Sequence, residues 1–239
     1  MTPDTSNRPV ALITGASAGL GLALAHGLAD RGWTLVIDAR GAGPLKDAAD
    51  ALANRTDVVP LAGDVADPEH RLDLVDVVNQ LGRLDLLVNN ASYLGPSPLQ
   101  AIADADLDEL RRVYEVDVLA PIALTQALLP ALTAASGVLI NISSDAAVEA
   151  YETWGGYGSA KAALDHATRV LAAEQPTLAV YAVDPGDLRT AMHQAAFPGE
   201  DISDRPEPAT VVPAFLKLLD SRPASGRYRA AEFAPAVAS

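Results

Sequence analysis

Val10-Ala11-Leu12-Ile13-Thr14-Gly15-Ala16-Ser17-Ala18-Gly19-Leu20-Gly21 decides the fold of this 239-residue chain. The apolar run at its start suits a strand buried on both faces. Three glycines then turn the chain. Leu20, Leu24 and Leu28 recur on one stripe, so a helix is expected over 19–31. Gly15, Gly19 and Gly21 have no side chains, so backbone can approach a ligand closely at the start of that helix. A helix N-terminus presents unpaired N–H groups and favours an anion such as a pyrophosphate. The spacing is G-x-x-x-G-x-G, not the G-x-G-x-x-G of the commoner dinucleotide fingerprint.

The same alternation continues outward. Apolar runs predict strands over 33–38, 58–61, 84–88, 137–141, 178–183 and 227–230. Helical periodicity covers 44–54, 69–81, 107–119 with a continuation over 124–132, 157–174 and 208–220. Buried strands alternating with helices imply an α/β fold: a doubly wound, Rossmann-like parallel sheet of about seven strands with helices on both faces. There is no internal repeat and no linker, so 9–239 is expected to be a single domain. Residues 1–8 are expected to be a disordered lead, and 230–239 a strand end followed by a loose tail. The segment 189–208 is rich in Pro, Gly and acids and reads as a mobile lid over the substrate.

Composition narrows the function. Hydrophobic residues are 49% and charged residues 20% of the chain, as in a folded enzyme. A net charge of −14 disfavours nucleic acid and anionic membrane surfaces as partners. It leaves room for a phosphorylated cofactor, because distant charges are screened beyond about 8–10 Å. With no cysteine there is no disulfide framework. His26, His70, His166 and His193 lack metal-ligand spacing and read as surface or packing residues, so no metal is expected. The first residues are polar, with no signal-peptide pattern, and no apolar stretch reads as long and uninterrupted enough to cross a bilayer. A cytoplasmic location is expected.

The chemistry is carried by Tyr157-Gly158-Ser159-Ala160-Lys161, with Ser144 upstream. A Tyr and a Lys four apart share one helix face. An ammonium beside a phenol favours the phenolate and lowers its pKa. A nearby hydroxyl can hold a carbonyl oxygen in line. Together these can move a proton while a cofactor moves a hydride. Ser144 is preferred over Ser143, which strand alternation turns to the opposite face.

These motifs, in this order, resemble the short-chain dehydrogenase/reductase family over nearly the whole chain. The family's Thr-Gly-x-x-x-Gly-x-Gly corresponds to Thr14 through Gly21, with Ser17 and Leu20 inside the turn. Its adenine-contacting aspartate corresponds to Asp64, followed by Val65. Its Asn-Asn-Ala-Gly corresponds to Asn89, Asn90 and Ala91, with Ser92 in place of the glycine. Ser144, Tyr157 and Lys161 correspond to the catalytic set. Pro185, Gly186, Leu188 and Thr190 fall where the family meets the nicotinamide end. The resemblance implies an NAD(P)-dependent oxidoreductase acting on a carbonyl or secondary alcohol. A fourth catalytic position, an asparagine in the family, is Asp117 here. The family uses its backbone carbonyl, and the helix interior is expected to offer the side chain little room, so Asp117→Asn is expected to change activity little.

The end of the second strand reads Ile37-Asp38-Ala39-Arg40. An acid there selects NAD through the ribose hydroxyl, and an arginine nearby accepts the 2′-phosphate of NADP. In the family's alignment the selecting acid falls at Ala39, while Arg40 stands where NADP enzymes carry a base. NADP is therefore expected, and the competing reading is Asp38 with NAD. Tyr93, Leu94, Tyr151 and Trp154, with Asp145, Val148, Asp187 and 192–197, are expected to line the substrate pocket. The family's assembly implies a homodimer or homotetramer, with Val118, Leu119, Leu164 and Val170 as candidate outer positions. Two other readings are a dinucleotide-binding regulator without chemistry and a halohydrin dehalogenase-like lyase. Intact Ser144, Tyr157 and Lys161 oppose the first. The glycine cradle and a lysine where such lyases have arginine oppose the second.

Overall fold

Side chains of a strand alternate between the two faces of its sheet, and here each face carries its own apolar core. The strands are β1 (Val10–Ile13), β2 (Thr34–Ala39), β3 (Val58–Ala62), β4 (Leu86–Asn89), β5 (Val138–Ile142), β6 (Ala179–Asp184) and β7 (Gly226–Arg229). They form one sheet in the order β3-β2-β1-β4-β5-β6-β7, with every pairing parallel. The computed structural model describes residues 8–234.

The helices are α1 (Gly19–Ala29), α2 (Ala42–Leu52), α3 (Pro68–Leu81), α4 (Leu107–Tyr114), α5 (Ala120–Ala134), α6 (Gly155–Glu174), α7 (Ala191–Ala196) and α8 (Val212–Ser221). On one face Ile13, Ile37 and Ile140 pack against Leu24 and Leu28 of α1, Leu45 and Leu52 of α2, and Phe215 and Leu218 of α8. On the other, Leu12, Val36 and Leu139 meet Leu74 and Val78 of α3 and Leu124, Leu128 and Leu132 of α5. The strand order reverses between β1 and β4. In an open α/β sheet that reversal leaves a crevice beyond the strands' carboxyl ends, where ligands bind.

Helix ends follow local chemistry. Asp67 caps α3 by accepting from the Glu69 N–H, Pro68 occupies the first turn, and Gly82 closes the helix in the left-handed region. All seven expected strands form, with small shifts: the fourth runs Leu86–Asn89, not 84–88. The helix expected over 208–220 begins as a tight 3-10 turn, Pro208–Val211, before α8. The expected lead ends at Arg8, which pairs with Asp57 at 3.5 Å; its first seven residues and the tail after 234 lie outside the described residues.

One difference matters to the site. Helices α4 and α5 run on through a single π turn, Glu115–Leu119. Such turns hold an extra residue and often mark functional sites. The continuous helix Leu107–Ala134 is then long and apolar enough, by length and composition, to cross a membrane, which corrects the expectation from the sequence. Half of its most apolar stretch is buried within the fold, where α5 covers the sheet. Of the candidate outer positions, Leu119 and Val170 are exposed, but Val118 and Leu164 are buried and face inward.

Candidate active site

A cavity of about 460 Å³ opens at the topological switch point. Its floor is the turn between β1 and α1. Gly15 has φ +65°, and a Cβ there would stand 2.9 Å from the Ala91 Cα. At Gly21 a Cβ would stand 2.6 Å from the Gly15 carbonyl oxygen. Only glycine allows the strand, the turn and the β4 loop to close up this tightly. Helix α1 starts at Ala18 with no side-chain cap and no acid in its first turn. Among the described residues no side chain caps its first amides, and the turn faces a cavity lined by Ser17, Ala18, Gly19 and Leu20. That arrangement fits a pyrophosphate.

Around the cavity lie Arg40, Asp64, Val65, Asn90, Ala91, Pro185, Gly186, Leu188 and Thr190, all expected at the cofactor, together with Ser144, Tyr157 and Lys161. Thr14 and Gly21 do not line it. The Thr14 hydroxyl instead accepts from the Asn90 and Ala91 N–H groups, each at 2.9 Å, and fastens the β4 loop to β1. Thr190 caps α7, its oxygen accepting from the His193 N–H at 3.1 Å. On the substrate side Tyr93, Leu94, Trp154, Asp145, Asp187 and Met192 are in the wall. Tyr151 and Val148 are not: both are exposed. Tyr151 reaches the site only through its hydroxyl, which donates to Asp145 at 2.9 Å, and by its edge-on contact with Trp154.

Asp38 lies in the cavity wall with its side chain buried. Its carboxylate accepts from the Gly15 N–H at 2.9 Å and lies 3.0 Å from His70 Nε2. Burial pushes the Asp38 carboxyl up, while His70 and the Gly15 amide oppose the shift. Arg40 is exposed at the rim, with no hydrogen bond or ion pair among the described residues. One histidine packs inside the fold as expected and one departs from expectation. His70 is buried against Asp38, and His193 lies in the cavity wall with its Nε2 buried and unpartnered. His26 and His166 sit beside surface arginines.

Both serines at the end of β5 line the cavity, although strand alternation was expected to turn Ser143 away; their hydrogen bonds differ. Ser143 donates to Asp165 at 2.8 Å. Ser144 lines the cavity, donates to Asp145 at 3.0 Å and accepts from the Ala146 N–H at 3.2 Å. A residue not anticipated holds this strand end. Arg227 of β7 donates to the Ser144 carbonyl at 2.8 Å, to Asp165 at 2.9 Å and to Asp184 at 3.3 Å.

Tyr157 and Lys161 lie on the buried face of α6, with the ammonium 5.4 Å from the centre of the phenol ring. Lys161 donates to the Ile142 carbonyl at 3.1 Å and stands 3.3 Å from the Asp117 carboxylate. Asp117 also accepts from the Ser92 hydroxyl and, at 3.3 Å, from the Tyr93 N–H. The side chain is thus fully engaged, which corrects the expectation that the helix leaves it little room. Burial pushes Tyr157 up and outweighs the downward pull of Lys161; Asp117 adds to the rise. A phenol lowered by its lysine was expected, and the net direction here is the reverse. Burial pulls Lys161 down, but Tyr157, Asp117 and Asp165 together hold it above the usual lysine range.

A fold of this topology, with this cradle and this Ser-Tyr-Lys set, is that of the short-chain dehydrogenases, and the chain belongs to that family: the family model for short chain dehydrogenase matches residues 9–201. It is an oxidoreductase. The uncharacterized oxidoreductase YciK of Escherichia coli is 33% identical over 233 residues, 93% of this chain and 91% of that one. Sepiapterin reductase of Rattus norvegicus is 33% identical over 201 residues, 78% of this chain and 77% of its own length. Among solved structures, a short chain dehydrogenase of Shigella flexneri complexed with NADP superposes with a TM-score of 0.86 at 31% identity, covering 94% of this chain and 98% of the other.

Proposed function

We propose that the chain reduces a carbonyl to a secondary alcohol, and runs the reverse reaction, with NADP as cofactor. Buried Tyr157 and Lys161 beside Ser144 in one cavity wall carry this reading. Bound NADPH would supply a hydride to the carbonyl carbon. Ser144 holds the carbonyl oxygen. As the C=O π pair moves onto that oxygen, the Tyr157 O–H bond breaks and its proton completes the alcohol. The first-turn amides of α1 would hold the pyrophosphate, Asp64 and Val65 the adenine, Asn90, Ala91 and Lys161 the nicotinamide ribose, and Pro185, Gly186, Leu188 and Thr190 the nicotinamide. Arg40, at the rim with no hydrogen bond or ion pair among the described residues, supports a 2′-phosphate, and the engagement of Asp38 by Gly15 and His70 weighs against its rival. The NADP complex of the Shigella relative points the same way.

Residues 189–208 form the lid, with α7 as its helical part. Exposed Leu119 and Val170 support a homodimer or homotetramer, and the chain is assigned to the cytoplasm. The test is NADPH consumption across ketones, aldehydes, quinones and pteridines, with NADH in parallel. Turnover with NADPH on at least one class is expected. Turnover only with NADH overturns the cofactor assignment, and none with either overturns the activity.

A further inference from the structure

The two places where this chain leaves its family's pattern, Ser92 and Asp117, touch each other. They lie 25 positions apart, yet the Ser92 hydroxyl donates to the Asp117 carboxylate. An asparagine at 117 would carry its own amide donor and no charge. An aspartate gains an anion and loses that donor, and the serine hydroxyl supplies the missing hydrogen. The anion is 3.3 Å from the Lys161 ammonium, and Asp117 and Lys161 are both almost entirely shielded from solvent. We propose that Asp117, met by the Ser92 hydroxyl, is a positioning residue that holds a negative charge against Lys161, so that Tyr157 stays a protonated acid and the site is set for carbonyl reduction.

The electrostatics follow from the neighbours. From α6, Lys161, Tyr157 and Asp165 face the cluster; from the β4 loop, Ser92 and Tyr93, whose phenol donates to Glu109 of α4; from beyond β5, Asp145. Lys161 is the only cation of this set, and it alone favours the phenolate by charge. A carboxylate beside it offsets that pull. Lys161 stays charged, because Asp117 and Asp165 both favour its ammonium.

This inference rests on Tyr157 being the proton donor, but its test needs no turnover. Cofactor-free protein is titrated at the tyrosinate absorption band. The chain has 6 tyrosines, so each variant is measured against the same variant carrying Tyr157→Phe, and the difference isolates Tyr157. Asp117→Asn keeps the shape and removes the charge. It is expected to lower the Tyr157 titration by roughly 1–3 pH units. Ser92→Gly keeps the Asp117 charge and removes a hydroxyl whose hydrogen bond favours the Tyr157 phenolate, so it is expected to raise the titration. If Asp117→Asn fails to fold by circular dichroism, Asp117→Ser removes the same charge. A Tyr157 titration within about half a unit of wild type in the charge-removing variant, or a Ser92→Gly titration that falls alongside it, overturns the proposal. Failure of the catalytic reading itself is seen separately, as turnover that survives Tyr157→Phe.

Discussion

Two buried carboxylates, Asp38 in the cavity wall and Asp117 beneath the wall residues Ser92 and Lys161, are built alike. Asp38, at the end of β2, is 1% exposed; Asp117, in the π turn, is 0% exposed. Burial pushes both carboxyls up. Each accepts from one backbone N–H, of Gly15 or of Tyr93, and each has one nitrogen base beside it. The partners make the difference. Asp38 faces an imidazole whose charge is optional near neutral pH. Asp117 faces an ammonium that its surroundings keep charged. The first carboxylate therefore serves the fold, fastening the glycine turn to the second strand. The second sets the field at the phenol. A buried acid's function is decided by which base it meets, not by its burial.

The largest effect that can break this division is at the chemical end. Tyr157→Phe is expected to reduce turnover by about 10²–10⁴-fold, the range of general acid–base catalysis, with cofactor binding retained in a fluorescence titration. Near-wild-type turnover would leave Asp117 with no acid to tune. Next comes the adenosine end. Arg40→Ala removes charge-assisted hydrogen bonds worth roughly 1.5–3 kcal/mol. Binding of NADPH should weaken by about 10–150-fold while that of NADH barely changes. If wild-type protein binds NADH more tightly than NADPH, Asp38 is a ribose ligand after all and the two carboxylates are not separated by role.

Asp38→Ala strands the Gly15 N–H and the His70 ring without their acceptor. It should cost about 1–3 kcal/mol, read as a lower urea midpoint at unchanged slope, while the Tyr157 titration stays in place. A shift of that titration would merge the two ends. The smallest effect is a pH dependence. The hydrogen bond to Asp38 raises His70, against the opposing effect of burial. A histidine raised in the folded state contributes fully below its unfolded value of about 6.5 and loses that contribution as pH rises through its folded value. Asp38, itself raised, gives the same sign at lower pH. Urea stability of wild type relative to His70→Gln should therefore be highest near pH 6 and shrink toward alkaline pH. A gap that widens instead would mean that the imidazole is held neutral.

The seven strands, their parallel pairing and the place of the site were legible in the chain. Buried parallel strands are continuous apolar runs, and a glycine cradle needs its residues adjacent in sequence. Tyr157 and Lys161 were legible for the same reason, being one helical turn apart. The preference for Ser144 over Ser143 rested on strand alternation, but both line the cavity, and they differ in that the Ser143 hydroxyl is bonded to Asp165. Thr14 and Tyr151 were assigned to ligands because motif and side-chain type do not say which way a hydroxyl turns. One fastens the β4 loop to the end of β1, and the other is exposed.

What periodicity cannot carry is contact between distant elements. Arg227 gathers Ser144, Asp165 and Asp184 from β5, α6 and β6, and no spacing in the chain links them. Ser92 and Asp117 each looked like an isolated departure. Only the π turn, which inserts a residue without breaking the helix, brings the carboxylate to both Ser92 and Lys161. The sequence by itself determined the sheet, the cradle and the Tyr-Lys pair, because local patterns specify local geometry. The tertiary structure alone decided which base each buried acid meets, because burial raises the free energy of a charge and close packing selects the partner that offsets it.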